Sequence, residues 1–180
     1  MTTQTDIPTL ASLDYIPYLD DSGQMDESLQ GKVGVYAIFD REKVLQYIGY
    51  SRDVYLSLKQ HLVRCPHQCY WIKAQTIDRP SRTILNNIRE AWIAENGTTP
   101  PGNDGETAKW TQPIDAKALM TEAEQQEYSQ LSDELAQMKK RKKIARRVEA
   151  EVLAELEKRG VQMQLRFNPK LKESGLLDLK

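Results

Sequence analysis

The chain has 180 residues, 39% of them apolar and 28% charged, and a formal net charge of −1 at pH 7. It can bury a modest core, but it holds no run of about 18 apolar residues, so no membrane-spanning helix is expected. Two cysteines, Cys65 and Cys69, are too few for a disulfide framework, and the near-neutral total argues against a chain-wide polyanion partner.

The start, Met1 to Asp6, carries neither the positive charge nor the apolar stretch of a leader. A cytoplasmic protein with no membrane association is the expectation. Residues 1–30 hold Pro8, Pro17 and the turn Asp20-Asp21-Ser22-Gly23, with apolar anchors at Ile7, Leu10, Leu13, Tyr15, Ile16, Tyr18 and Leu19. This reads as an N-terminal lead-in that packs on something.

Residues 31–105 carry a tighter pattern. Val33 to Phe39 is rich in β-branched and aromatic residues and predicts a strand. Asp40-Arg41-Glu42-Lys43 is a polar turn, and Val44 to Gly49 predicts the second strand of a hairpin. Residues 53–64 predict a helix with Asp53 as N-cap and Val54, Leu58 and Leu62 on one face. Gln68 to Ile77 predicts a third strand. Ser81 to Glu95 predicts a second helix, stopped by Asn96-Gly97. Strand, turn, strand, helix, strand, helix makes a small α/β sandwich with three strands flanked by helices. Residues 106–120 read as a linker.

Residues 121–160 give the longest helical signal, a charged helix opened by Thr121-Glu122-Ala123-Glu124. Tyr128, Leu131, Leu135 and Met138 follow the 3-4-3 spacing of a coiled-coil seam, which suggests a protein partner or self-association through this helix. Residues 161–180 alternate with period two at first, predicting one more strand and a tail.

The identities narrow the reading. Gly34-Val35-Tyr36 and Tyr47-Ile48-Gly49 stand at hairpin spacing, followed by His61 on the first helix, Glu90 on the second and Asn103 in the loop after it. Over residues 31–105 this order resembles the GIY-YIG nuclease family. The whole-chain pattern, including the lead-in and the stretch from Trp110 to Pro113, also resembles uncharacterised GIY-YIG proteins of cyanobacteria and chloroplasts. The resemblance implies metal-dependent hydrolysis of DNA phosphodiester bonds. Glu90 would hold Mg²⁺ or Mn²⁺. Tyr36 would act as base or relay, Tyr47 would position water or phosphate, His61 would assist proton transfer, and Asn103 would orient the site or brace its backbone.

One position departs from the family pattern. Ser57 stands where the family carries an arginine on the first helix. A cation there would stabilise transition-state charge on the phosphate. Arg64, seven residues on and on the same helical face, is the candidate substitute, with Arg52 nearby on another face. The alternative is a domain that has lost catalysis and binds nucleic acid or protein as a scaffold. Both stay open from the sequence.

Charge is clustered. Seven Lys/Arg against two acids lie from Arg52 to Arg89, and seven against none from Lys139 to Arg147. Contact with phosphates responds to such local charge. Lys59, Lys73, Arg82 and Arg89 on the domain, and Lys139, Lys140, Arg141, Lys142 and Lys143 on the long helix, are therefore the candidate nucleic-acid contacts, with DNA the partner implied by the resemblance. His61, Cys65, His67 and Cys69 fall within nine residues, but their spacing is not a usual zinc pattern, and zinc is not expected.

Overall fold

The computed structural model describes residues 7–180; the expectation about a leader at residues 1–6 lies outside them. The described chain divides into two compact units, one running up to Thr111 and the other from Gln112 to Lys180.

The first unit is built on a four-stranded antiparallel sheet. Its strands are β1 (Ile16–Pro17), β2 (Val33–Phe39), β3 (Leu45–Ser51) and β4 (Trp71–Ile77), in the spatial order β1-β4-β2-β3. The expected three strands thus become four, because the lead-in adds β1 beside β4, pairing Ile16 with Ile72 and Pro17 with Trp71. Proline is tolerated there because an edge strand has no neighbour on its outer side. The β2–β3 turn is held by Asp40, whose Oδ1 accepts from the backbone N–H of Glu42 at 3.0 Å and of Val44 at 2.9 Å.

Helix α1 (Val54–Arg64) starts at Asp53, whose side chain accepts from the Leu56 N–H. It lies over the sheet face that carries Tyr36. Helix α2 (Arg82–Asn96) is capped by Ser81 and closed by Gly97 at φ 84°. It covers the other face, packing Leu85, Ile88 and Trp92 against Val35, Ala37, Phe39, Leu45 and Ile48. Leu10 of the lead-in completes this cluster. The lead-in is further tied down by Glu95, which accepts from the N–H groups of Leu10 at 2.7 Å and Ala11 at 2.8 Å, and by Trp92, which donates to the Pro8 carbonyl at 2.9 Å. It is part of the domain. A short helix, α3 (Thr107–Thr111), lies where a linker was expected and buries Trp110.

The second unit starts with β5 (Ile114–Asp115). The helix expected over 121–160 is interrupted. Its first part is α4 (Glu122–Ser129), opened by a capping box between Thr121 and Glu124, and its second is α5 (Glu134–Arg159). Asp133 accepts from the Ala136 N–H as a new N-cap; Ser132-Asp133 favours restarting a helix over continuing one. The coiled-coil seam is therefore broken between Leu131 and Leu135, and Leu135 is 54% exposed. Helix α5 buries Ile144, Ala145, Val148 and Leu156. After it come α6 (Pro169–Lys172) and β6 (Leu176–Leu177), which pairs antiparallel with β5. The strand expected from Val161 does not form; Phe167 alone makes a bridge, to Leu179. Period-two alternation makes a strand only where a neighbour offers a ladder, and here none does over its length.

Candidate functional site

The two glycines of the paired tripeptides are fixed by steric limits. A Cβ on Gly34 would sit 2.6 Å from the Gln75 carbonyl oxygen of β4. A Cβ on Gly49 would sit 2.6 Å from the Tyr47 ring and 2.8 Å from the Tyr36 hydroxyl. Gly49 faces Tyr36 across the β2–β3 ladder, so its bare backbone makes the room in which the Tyr36 phenol lies.

Three of the expected site residues come together there. Tyr36 Oη and His61 Nε2 share a hydrogen bond of 2.8 Å. The Tyr47 ring lies 4.8 Å from the imidazole and 6.2 Å from the Tyr36 ring, centroid to centroid. A fourth member, Trp110 of α3, packs against the cluster. It stacks on Tyr47 at 5.3 Å with planes 5° apart and lies 5.5 Å from His61. Trp110 is fully buried. Nothing in the tripeptide pattern points to it. The available signal was a lone tryptophan in a polar stretch, since so large an apolar side chain seldom sits in a true linker.

Burial sets the electrostatics. It pulls the His61 pKa down to about 3, with the Arg64 guanidinium adding to the effect. The imidazole is therefore neutral at physiological pH. Burial likewise raises the Tyr36 pKa well above its ordinary value and raises that of Tyr47. A phenol that is hard to ionise is a poor base, and a neutral imidazole offers no charge to a phosphate.

Ser57 lies at the cluster as well: its hydroxyl donates to Ser51 Oγ at 2.7 Å and is hydrogen-bonded with the Tyr36 phenol. Arg64 does lie beside the cluster, but its Nη1 donates to the Trp110 carbonyl at 2.8 Å, so it holds Trp110 in place. Asn103 accepts from the Ile48 N–H at 2.8 Å and donates to the Ile48 carbonyl at 2.7 Å, bracing the outer edge of β3. Glu90 stands apart. It belongs to α2, which packs on the opposite sheet face; its side chain is 60% exposed and pairs with its neighbour Arg89 at 3.6 Å. Among the described residues no three His, Cys, Asp or Glu side chains gather to hold a metal ion. Glu90 offers a single exposed carboxylate beside Arg89.

The candidate phosphate contacts on this unit also scatter. Lys73 is buried, donates to the Leu10 carbonyl at 2.9 Å and lies over the Tyr15 ring at 4.2 Å. It is a structural residue, not a surface contact. Arg89 donates to Asn86 Oδ1 at 2.6 Å and lies over the Tyr50 ring. Arg52 and Arg82 are exposed and line a cleft of about 320 Å³ with Tyr50 and Ser81, while Lys59 is half-buried on α1.

Both thiols are inside. Cys65 is 2% exposed and Cys69 is fully buried. Burial pushes the Cys65 thiol up to about 12. The Cys69 thiol donates to the His61 carbonyl, Sγ to O 3.6 Å.

No model of a known protein family matches the chain. Among curated proteins it is similar to the bifunctional monothiol glutaredoxin-S16, chloroplastic, of Arabidopsis thaliana, at 33% identity over 81 residues. The match covers 43% of this chain and 28% of that relative. The expectation of a DNA-cleaving hydrolase is overturned by this finding, since the relative is named for thiol-redox chemistry and not as a nuclease.

Proposed function

We propose that this chain serves thiol-redox chemistry as an accessory, protein-binding module, with a GIY-YIG-like domain at its centre, and that the reactive thiol belongs to another domain or protein. The GIY-YIG-like assignment is supported by the β2–β3 hairpin with Gly34 and Gly49 at positions where a side chain would collide. The redox assignment is supported by the likeness to a protein named as a monothiol glutaredoxin. The accessory role is carried by one observation, the burial of both cysteines. The nucleophile in thiol–disulfide exchange is an accessible thiolate. A Cys65 thiol with a pKa of about 12 is almost wholly protonated at neutral pH, and both cysteines are buried.

The test has two parts. The purified chain alone is expected to show no glutathione-dependent disulfide reduction, and Cys65→Ser and Cys69→Ser are expected to leave that blank unchanged. Titrated with a monothiol glutaredoxin in a calorimeter, the chain is expected to bind. Reductase activity of the chain alone that disappears with Cys65→Ser would overturn the accessory role. Absence of any binding to the glutaredoxin would overturn the partnership.

A further inference from the structure

The basic run of α5 divides into two sets with different surroundings. Lys140 is paired with Glu127, Arg141 with Glu134 at 2.9 Å, and Arg147 with Glu124 and Glu151, both at 2.7 Å. Lys139, Lys142, Lys143 and Arg146 have no hydrogen bond or ion pair among the described residues, although Lys143 lies close enough to Glu127 to help lower its carboxyl pKa. At 3.6 residues per turn these four share one stripe about 10 Å long. It lies opposite the side that buries Ile144 and Val148. No acid occurs between Leu135 and Val148, so the stripe has no internal counter-charge. Leu135, 54% exposed, and Leu153, 38% exposed, fall on the same stripe at its two ends, about 27 Å apart.

The flank of the same helix shows what this kind of surface accepts. Helix α4 is short and acidic, and it meets α5 through Glu124 on Arg147 and Glu127 on Lys140. Acids three residues apart on one helix thus engage cations seven apart on the other. The outward stripe presents three further levels of positive charge at the spacing of helical turns. It also ends in leucines and carries no aromatic residue. Those features favour an acidic helix over a nucleic acid, whose recognition uses stacking platforms and phosphate contacts without apolar ends.

We propose that the outward face of α5, formed by Lys139, Lys142, Lys143 and Arg146 between Leu135 and Leu153, docks an acidic amphipathic helix of a partner protein. The acids of that helix recur every three or four residues, and an apolar side chain near each end covers a leucine. The inference uses none of the residues on which the accessory role rests.

The probe is a fluorescent 20-residue peptide with Glu at i, i+4 along one face and Leu near both ends, bound to the full chain and followed by anisotropy. Binding is expected, weakening at least tenfold from 50 to 300 mM salt. The variant carrying Lys139→Gln, Lys142→Gln, Lys143→Gln and Arg146→Gln should bind at least tenfold more weakly, with unchanged helical circular dichroism. Leu135→Ser with Leu153→Ser should bind several-fold more weakly at fixed charge. A peptide with Gln for Glu should not bind. Equal affinity of the fourfold variant would overturn the proposal. So would tighter binding, through the same four residues, to a DNA duplex or to vesicles of anionic lipid. If the fourfold variant loses helicity, Lys143→Glu alone decides, with loss of peptide binding expected and retention counting against the site.

Discussion

The two units handle polar groups in opposite ways. In the first, the groups that look most like chemistry are buried and uncharged. Tyr36 bonds neutral His61 under Trp110, and both thiols lie inside. In the second, charge stays at the surface and is matched in pairs between α4, α5 and α6, as in Lys172 with Glu149 at 2.6 Å, except along the outward stripe of α5. Burying an ionised group is costly, so buried titratable groups shift toward neutrality. Exposed ion pairs avoid that cost, and each contributes about 1 kcal/mol or less. A residue pattern that suggests reactivity can therefore be put to use in packing, while a plain charged helix keeps its charges available.

Substitutions can separate these two regimes. The largest effect is expected from Trp110→Ala, which empties the space above Tyr47 and His61. It should cost about 4 kcal/mol, read as loss of amide-exchange protection in β2 and β3. Gly49→Ala forces a methyl group against Tyr36 and Tyr47 and should cost about 3 kcal/mol by overpacking, measured by urea unfolding. Acid titration should follow in size. The His61 pKa is lowered to about 3 in the folded state from an ordinary 6.5, so the unfolded chain binds the extra proton between those values. Stability from this group is complete above about pH 6.5 and is lost as pH falls toward 3. Going from pH 7 to 4.5 should remove about 2.5 kcal/mol, and His61→Gln should flatten that part of the slope. The smallest effect belongs to the second unit, where Glu124→Gln should cost about 1 kcal/mol and respond to salt. Were that loss to equal the effect of Trp110→Ala and persist in high salt, the contrast between the units would not stand.

Much of the first unit was legible in the residues. The Val33–Phe39 and Leu45–Ser51 strands, the Asp53 and Ser81 caps and the Gly97 stop follow from local preferences that the fold does not override. Strand β1 was not legible, because two residues with a proline carry almost no strand signal and gain their place only from β4. The break at Ser132-Asp133 was hidden by apolar spacing that continues across it. At the site, Tyr36, Tyr47 and His61 come together. Identity and order are written in the sequence, whereas burial by Trp110 and the opposite-face placement of Glu90 are set by packing between distant segments.

The Asn103 side chain has a consequence for how this protein behaves in a crowded solution. Strand β3 is the last of its sheet, and an open outer edge is a template on which another chain can add a strand. One carboxamide, taking both the N–H and the carbonyl of Ile48, occupies that template at its middle as a one-residue fifth strand. An intruding strand would have to displace it before its own ladder could run the length of the edge. Solubility at high concentration, more than any reaction, is then what Asn103→Ala should erode.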